Sequence, residues 1–357
     1  MKKNDFAQLM ACAGMSRRAF VASSAAAAAT LVLAGCNSGS GSASGSSDAS
    51  SDSGSSSEKT ALTFCLDYTP NTNHTGIYVA KNQGYFDEEG LDVTIVQPAD
   101  GTAEGAIGTG QAQLGISYQD YIASAYDAGN TGLTAVAAVI QHNTSGIMSR
   151  AEDNITRAKE MEGHVYTTWD LDVEQATIKQ VMESDGGDYS KLTMVPYTTD
   201  DDVAGLKTNM YDCVWVYEGW AVQNAKVQGY DVNYFDFRAM DDVFDFYTPV
   251  IAANTEYAQA NPEVVKAFLR AAKKGYEFAV SQPDEAAKIL CEEVPELDSE
   301  LVDASAAFLA GEYVSDAESW GVIDPDRWSA YYQWLNDNSL VENKLDVNSG
   351  YDTSYLA

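Results

Sequence analysis

One stretch constrains the fold more than any other: Asp67 to Gly90, reading DYTPNTNHTGIYVAKNQGYFDEEG. The apolar run Ala61–Leu66 before it reads as a strand, and Pro70 disfavours further sheet pairing. Asn71, Thr72, Asn73 and His74 crowd polar groups into one turn. Ile77, Tyr78, Ala80 and Lys81 then take a helical spacing, and Gly84 ends the helix as a glycine past the last turn commonly does. Leu91–Val96 reads as a second strand. Strand, polar turn, helix and strand make one βαβ unit. In open α/β sheets ligands bind at the carboxyl ends of the strands, which is where the polar turn sits.

The alternation of strands and helices continues and argues for a mainly parallel α/β sheet. A chain of 357 residues is long for one core, so two lobes are expected. Pro98–Gly110 reads as a turn and short helix. Leu114–Ile116 reads as a third strand that emerges at Ser117-Tyr118-Gln119-Asp120. Leu133–Ile140 is a fourth, ending in Gln141–Thr144, where the chain crosses into a second lobe. Val165–Thr168, Leu192–Tyr197, Tyr211–Tyr217 and Asn233–Phe237 supply that lobe's strands, and Tyr247–Ala253 returns. Asn261-Pro262 reads as a helix cap and first helical position. Val264, Val265, Phe268, Leu269, Ala272 and Tyr276 mark that helix's apolar face. Pro283 opens another helix, and the rest reads as helical. Residues 59–144 and 249–357 are expected to form one lobe and 145–248 the other. A cleft between lobes is the usual place for a small ligand, with hinges near Asn143–Gly146 and Tyr247–Ile251.

The N-terminus is not read as fold. Ser16-Arg17-Arg18-Ala19-Phe20 resembles a twin-arginine export signal, and the apolar run Ala25–Leu33 is too short to span a bilayer. Leu33-Ala34-Gly35-Cys36 resembles a bacterial lipobox. Residues 1–35 are thus an expected export signal, with Cys36 the lipidated first mature residue; the alternative is ordinary cleavage near Ala34. Residues 36–58, nearly all Ser, Gly and Ala, are an expected flexible linker. The formal charge is −32, and losing residues 1–35, which carry +3, leaves −35. That argues against nucleic acid and anionic lipid headgroups as partners. Cys65 and Cys213 lie in apolar runs and are expected as buried thiols. There is no CxxC or His/Cys cluster to suggest a metal or cofactor.

Strand ends nominate Asp67, Tyr68, Asn71, Asn73, His74, Tyr118, Gln119, Trp169, Glu218 and Trp220 as ligand contacts. The set is aromatic and amide-rich. No Lys or Arg occurs over residues 62–80, 111–149, 164–178 or 211–225. An anion would favour a charged donor, although helix N-termini substitute. A flat, neutral or weakly basic heterocycle fits better, stacked on aromatic faces with Glu218 accepting from its amine edge. Glu218 leads because an acid beside a buried strand is costly to desolvate without a partner. Trp215 reads as core. Tyr118 and Trp169 are either ligand contacts or hinge packing. Asp67 and His74 either touch ligand or brace the Asn71–Thr75 turn.

The stretch DYTPNTNHTGIYVAKNQGYFDEEGLDVTIVQP resembles the opening of solute-binding proteins of the NMT1/THI5-like kind, and PEVVKAFLRAAKKGYEFAVSQPDEAAKIL resembles them as well. The resemblance runs from about Leu62 to the C-terminus. It implies a two-lobed periplasmic-binding-protein type II fold and a non-enzymatic role as the monomeric binding component of an ABC importer. That component would be lipid-anchored on the extracytoplasmic face and would deliver its ligand to a permease. The Thr-Pro-Asn-Thr-Asn-His-Thr-Gly core resembles most the branch that takes pyrimidine precursors of thiamine. Relatives carry sulfonates or nitrate, the alternative ligands. Eukaryotic relatives are pyrimidine synthases with an iron-binding cysteine cluster that this chain lacks. By resemblance, an acid and stacked aromatics hold the pyrimidine, here Glu218, Trp220 and Tyr68.

Overall fold

The computed structural model describes residues 59–98, 102–196 and 201–356. The export signal, Cys36 and the linker lie outside the described residues, as does Tyr197 of the strand expected over Leu192–Tyr197. The strands are β1 Thr60–Cys65, β2 Leu91–Val96, β3 Leu114–Ser117, β4 Leu133–Ala138 and β5 Ser145–Arg150, then β6 Val165–Thr168, β7 Thr193–Pro196, β8 Cys213–Tyr217, β9 Val232–Asp236 and β10 Val250–Asn254. They form two five-stranded sheets, ordered β2-β1-β3-β10-β4 and β7-β6-β8-β5-β9. In the first sheet β10 runs antiparallel between β3 and β4. In the second, β5 runs antiparallel between β8 and β9. The chain crosses between sheets after β4 and again after β9. Each crossing delivers its strand to the same place in the receiving sheet, beside its third parallel strand.

Local chemistry explains the element ends. Asn71 caps the 3₁₀ turn Thr72–His74, accepting from the Asn73 N–H at 2.9 Å, and the helix Thr75–Asn82 follows without a break. Gly84, at φ 75°, closes that helix in the left-handed region. Asn261 stands at the cap of Pro262–Ser281 as expected, but its side chain donates back to the Tyr257 carbonyl at 3.0 Å and caps nothing.

The expectation of helix to the C-terminus is corrected. Helices Ser299–Glu312 and Pro325–Asp337 form, but the chain after Asp337 runs over the outer edge of β4. There Ala135 N–H donates to Gly350 at 2.9 Å and Asp352 N–H to Ala135 at 2.8 Å. These bonds satisfy an edge strand that would otherwise be open for pairing. In helix Pro325–Asp337 Trp328, Tyr331, Tyr332 and Trp334 are buried. Trp334 Nε1–H donates to Gln180 at 2.6 Å, on the helix Asp172–Ser184 of the second sheet. No helix among the described residues is long and apolar enough to cross a membrane.

The two crossings are bonded to each other. Asp245, on the second, accepts from the Asn143 N–H at 2.9 Å and lies 2.6 Å from His142 Nδ1 on the first. His142 Nε2 is 2.9 Å from Asp316. A cavity of about 670 Å³ beside them is lined by His142, Arg238, Asp242, Asp245 and Arg327 among others.

Candidate functional site

The carboxyl ends of the three parallel strands of the first sheet each lead to an acid: Asp67 after β1, Glu104 after β2 and Asp120 after β3. Asp67 has 5% of its side chain exposed and lies 2.6 Å from His74 Nε2. It also accepts from the Tyr118 hydroxyl. His74 Nδ1 accepts the Asn71 N–H at 3.1 Å, so Nε2 carries the ring proton and donates to Asp67. Burial alone would raise the Asp67 carboxyl, but His74 and Tyr118 outweigh it and hold the group below the ordinary aspartate value. Asn71 closes the same turn, its amide donating to the Thr69 carbonyl at 3.1 Å. Asp67, His74 and Asn71 therefore brace the turn. Asn73 is half-buried, and its carbonyl accepts from the Tyr276 hydroxyl at 2.8 Å.

Glu104 is buried and accepts from Ser117 Oγ at 2.6 Å. Burial raises its carboxyl, and the neighbouring Asp67 charge adds to the rise. Asp120 lies in the first turn of the helix Gln119–Asp127. Burial pushes it up to about 7, against the pull of its own and Tyr121's N–H groups, with Glu104 contributing. Tyr118 and Tyr121 stand with ring centroids 5.2 Å apart. Gln119, expected to touch ligand, has no exposed surface. Its amide donates to the Trp328 carbonyl at 2.8 Å and accepts the Tyr247 N–H at 2.9 Å. Both ends are used to tie the return crossing to the C-terminal helix.

From the second sheet, β8 brings Tyr217. Strand alternation puts Trp215 and Tyr217 on one face and Val214 and Val216 on the other, where the valines join a separate core. Trp215 is 8% exposed and packs edge-on to Phe237 at 4.4 Å and against Trp169 at 5.6 Å. Its core assignment therefore holds, and Trp169 packs on it. The Trp169 backbone is held by Glu174, which accepts its N–H at 2.9 Å and the Thr168 hydroxyl at 2.8 Å. Tyr217 keeps 36% of its surface exposed, and its hydroxyl lies 3.2 Å from Thr248 Oγ1. Burial raises that hydroxyl first, then Asp120, with Tyr121 and Asp67 also contributing. Tyr217 thus reaches across to the acids of the first sheet.

Glu218 does not join them. Burial raises its carboxyl, and the charges that act on it are Lys226, Asp236, Glu312 and Arg238. The cause is geometric: β8 stays extended through Tyr217, so consecutive side chains point to opposite faces. A wide π-turn then begins at Glu218. Gly219 packs on Leu309, and its carbonyl accepts from Ser305 Oγ. Trp220 is half-buried in that turn. Tyr68 is 57% exposed beside the polar turn.

The structure thus brings together Asp67, Tyr118, Asp120, Tyr121, Glu104 and Tyr217. Sequence reasoning had nominated only the first two of these as contacts. Tyr217 was legible by counting one residue back from Glu218, and Tyr121 by one helical turn from Tyr118. Glu104, in a Gly- and Ala-rich stretch, carried no signal.

A sequence profile for the family described as NMT1/THI5 like matches residues 71–286, more than half of the chain. The chain belongs to the NMT1/THI5-like family. Within it, the formylaminopyrimidine-binding protein of Halalkalibacterium halodurans is 28% identical over 299 residues, 81% of this chain and 88% of that one. The 4-amino-5-hydroxymethyl-2-methylpyrimidine phosphate synthase THI5 of Saccharomyces cerevisiae is 25% identical over 252 residues, 67% of this chain and 73% of its own. Among solved structures, the alkanesulfonate-binding protein SsuA from Xanthomonas axonopodis pv. citri bound to MOPS superposes with a TM-score of 0.64 at 13% identity. The match covers 83% of this chain and 99% of that one. The periplasmic aliphatic sulphonate binding protein SsuA from Escherichia coli gives 0.64 at 15% identity over 82% and 97%. At such identities the likeness speaks to fold. This NMT1/THI5-like chain has the two-lobed α/β periplasmic-binding-protein fold, with two crossovers and a cleft.

Proposed function

We propose that this NMT1/THI5-like chain is the extracytoplasmic solute-binding component of an ABC importer, and that it closes on a thiamine-related amino- or formylaminopyrimidine. Residues 59–144 with 249–357 act as one lobe and 145–248 as the other, hinging at the bonded crossings. The chain reaches the membrane through lipid on Cys36 and hands its ligand to a permease. One observation carries the ligand reading. Where the lobes face each other, tyrosines and three carboxyls converge, and no lysine or arginine is among the groups that act on Asp67, Glu104 or Asp120. Such a site wants a ligand that presents N–H donors and a flat ring. The likeness to the formylaminopyrimidine-binding protein supports the same reading. The sulfonate-binding neighbours share the fold only, and a sulfonate would meet acids where it needs donors. The synthase relatives are less similar, at 25% identity or below against 28%, and we read this member as a binder.

The test is a thermal-shift screen of the purified protein against aminopyrimidines, thiamine, aliphatic sulfonates and nitrate. At a hundredfold excess over Kd a ligand stabilises by about 2.7 kcal/mol, a rise of roughly 4 °C for a domain this size. A rise with aminopyrimidines alone is expected. A rise with sulfonates alone would overturn the ligand assignment.

Two variants divide the site. Tyr217→Ala is expected to weaken an aminopyrimidine by roughly fivefold or more, since an aromatic stacking contact contributes about 1–3 kcal/mol. Glu218→Gln is expected to leave Kd within about threefold, because its charged neighbours lie elsewhere. Calorimetric titration of both variants checks the pair. A large loss only in Glu218→Gln would reverse the assignment.

A further inference from the structure

Resting on the reading of this chain as a two-lobed binder, we propose that Ser305 is a positioning residue. Its hydroxyl couples the polar turn after β1 to the π-turn after β8, so that the two sheets offer their strand ends to the ligand in one fixed arrangement. Ser305 lies inside the helix Ser299–Glu312 and is fully buried, and Thr72 is 2% exposed. A serine within a helix ordinarily turns its hydroxyl to the carbonyl one turn back. Ser305 instead spends its hydroxyl between two other segments. Its Oγ lies 2.6 Å from Thr72 Oγ1, in the 3₁₀ turn Thr72–His74. It also donates to the Gly219 carbonyl, in the π-turn Glu218–Val222. A carbonyl only accepts, so the order of the protons is fixed. Thr72 O–H donates to Ser305, and Ser305 O–H donates to Gly219. Hydroxyls chained in this way polarise one another, and a buried member that loses its partner has no solvent to turn to.

The helix that carries Ser305 is seated against the first sheet's polar turn. Val302 and Ala306 pack in one cluster with Tyr78, Ala287 and Leu290. Tyr313, at the end of the helix, donates its hydroxyl to the Thr72 carbonyl at 2.7 Å, and Thr75 Oγ1 donates to the same carbonyl at 2.8 Å. The turn is thus pinned at both its side chain and its backbone. The same helix also meets the second sheet's turn. Leu309, one helical turn on from Ser305, is where Gly219 packs: a Cβ at position 219 would fall 3.0 Å from Leu309 Cδ2 and 3.3 Å from Phe308 Cδ1. The bare glycine lets the π-turn come close enough for its carbonyl to reach Ser305. The crossings join the sheets covalently, and this relay joins them a second time. One end of it lies between Asn71 and Asn73, and the other lies two residues past Tyr217. An arrangement set before the ligand arrives lowers the ordering cost that binding must meet. Any uncoupled fraction of the protein weakens the apparent affinity in proportion.

The experiment has two arms. Amide hydrogen exchange of the unliganded protein, read by mass spectrometry, reports the coupling without any ligand. Thr72→Val removes one hydroxyl at nearly constant volume, and the hydrogen-bonded link from position 72 to the π-turn runs through Ser305. It is expected to speed exchange over residues 218–224 by about threefold or more. Thr72→Ser restores the hydroxyl and is expected to restore the rate. Ser305→Ala is expected to speed exchange in both turns. Thr177→Val removes a buried hydroxyl that donates to the Val173 carbonyl within its own helix at 2.9 Å. It is the control and should leave both turns unchanged. The second arm is calorimetric titration with 4-amino-5-hydroxymethyl-2-methylpyrimidine. Ser305→Ala and Thr72→Val are expected to weaken binding by roughly fivefold or more, and Thr72→Ser and Thr177→Val to stay within about twofold. A π-turn whose exchange ignores Thr72→Val, a failure of Thr72→Ser to rescue it, or full affinity in a folded Ser305→Ala would each overturn the assignment. If Ser305→Ala does not fold, the two Thr72 variants decide alone. If the unchanged protein binds no pyrimidine, the ligand reading fails and the exchange arm still decides the coupling.

Discussion

Gly76→Ala is expected to destabilise the protein by about 3 kcal/mol, at the upper end of what overpacking a dense core costs. A Cβ at position 76 would lie 2.3–2.5 Å from the ring atoms Cγ, Cδ1 and Cδ2 of Tyr276. That ring has no room to retreat. It is fully buried, stacked on Trp320 at 4.6 Å and set edge-on to Tyr313 at 5.2 Å. Its hydroxyl is tied to the Asn73 carbonyl. Gly275 on the facing helix is constrained in the same way, its added Cβ falling 1.9 Å from the Gly76 carbonyl oxygen. The two glycines let helices Thr75–Asn82 and Pro262–Ser281 meet backbone to backbone, which seats the polar turn. The check is thermal unfolding, where a loss of this size lowers Tm by roughly 5 °C. Gly311→Ala, in the helix Ser299–Glu312 with nothing within 4 Å of the added carbon, is the control. It should be neutral or gain up to about 1 kcal/mol from helix propensity. Equal losses in both variants would mean that helix contact is not the cause.

Asp67→Ala is expected to cost about 4 kcal/mol at neutral pH. It strands two buried donors, Tyr118 O–H and His74 Nε2–H, at about 1–3 kcal/mol each, and it releases the turn that they hold. The effect depends on pH with a definite sign. The Asp67 carboxyl is held below its unfolded value in the folded chain, so the folded state prefers it ionised. Its contribution is complete above the unfolded value, about 3.9, and is lost as pH falls through the lower folded value. Denaturant unfolding of both proteins should show a stability gap that is constant from neutral pH to about 5 and closes only in stronger acid. A gap that already closes near pH 6 would assign the loss to another group.

Much of the fold was legible in the sequence. The boundaries of β2 and β6 were read to the residue, and the prolines at 262 and 283 announced their helices correctly, because turn chemistry and apolar runs act over a few residues. The departures came where long-range contact decides. Asn261 has the right residue type for a cap, yet Tyr257 offers its amide a nearer acceptor. The tail after Asp337 contains helix-compatible residues, but it is drawn out along β4, whose outer edge offers backbone partners.

The site divides in the same way. By itself the sequence determined that polar and aromatic residues gather at strand ends without cations, since which elements form and what residues border them are local properties. Only the tertiary structure decided which of those residues meet. Gln119 is consumed by Trp328 and Tyr247, residues more than a hundred positions away. Whether a side chain at the end of β8 feels the acids of the other sheet turns on a single residue of strand register, so Asp120 acts on Tyr217, whereas the charges acting on Glu218 are Lys226, Asp236, Glu312 and Arg238. Register is set by pairing with β5 and β6, and no window of sequence around Glu218 contains those partners.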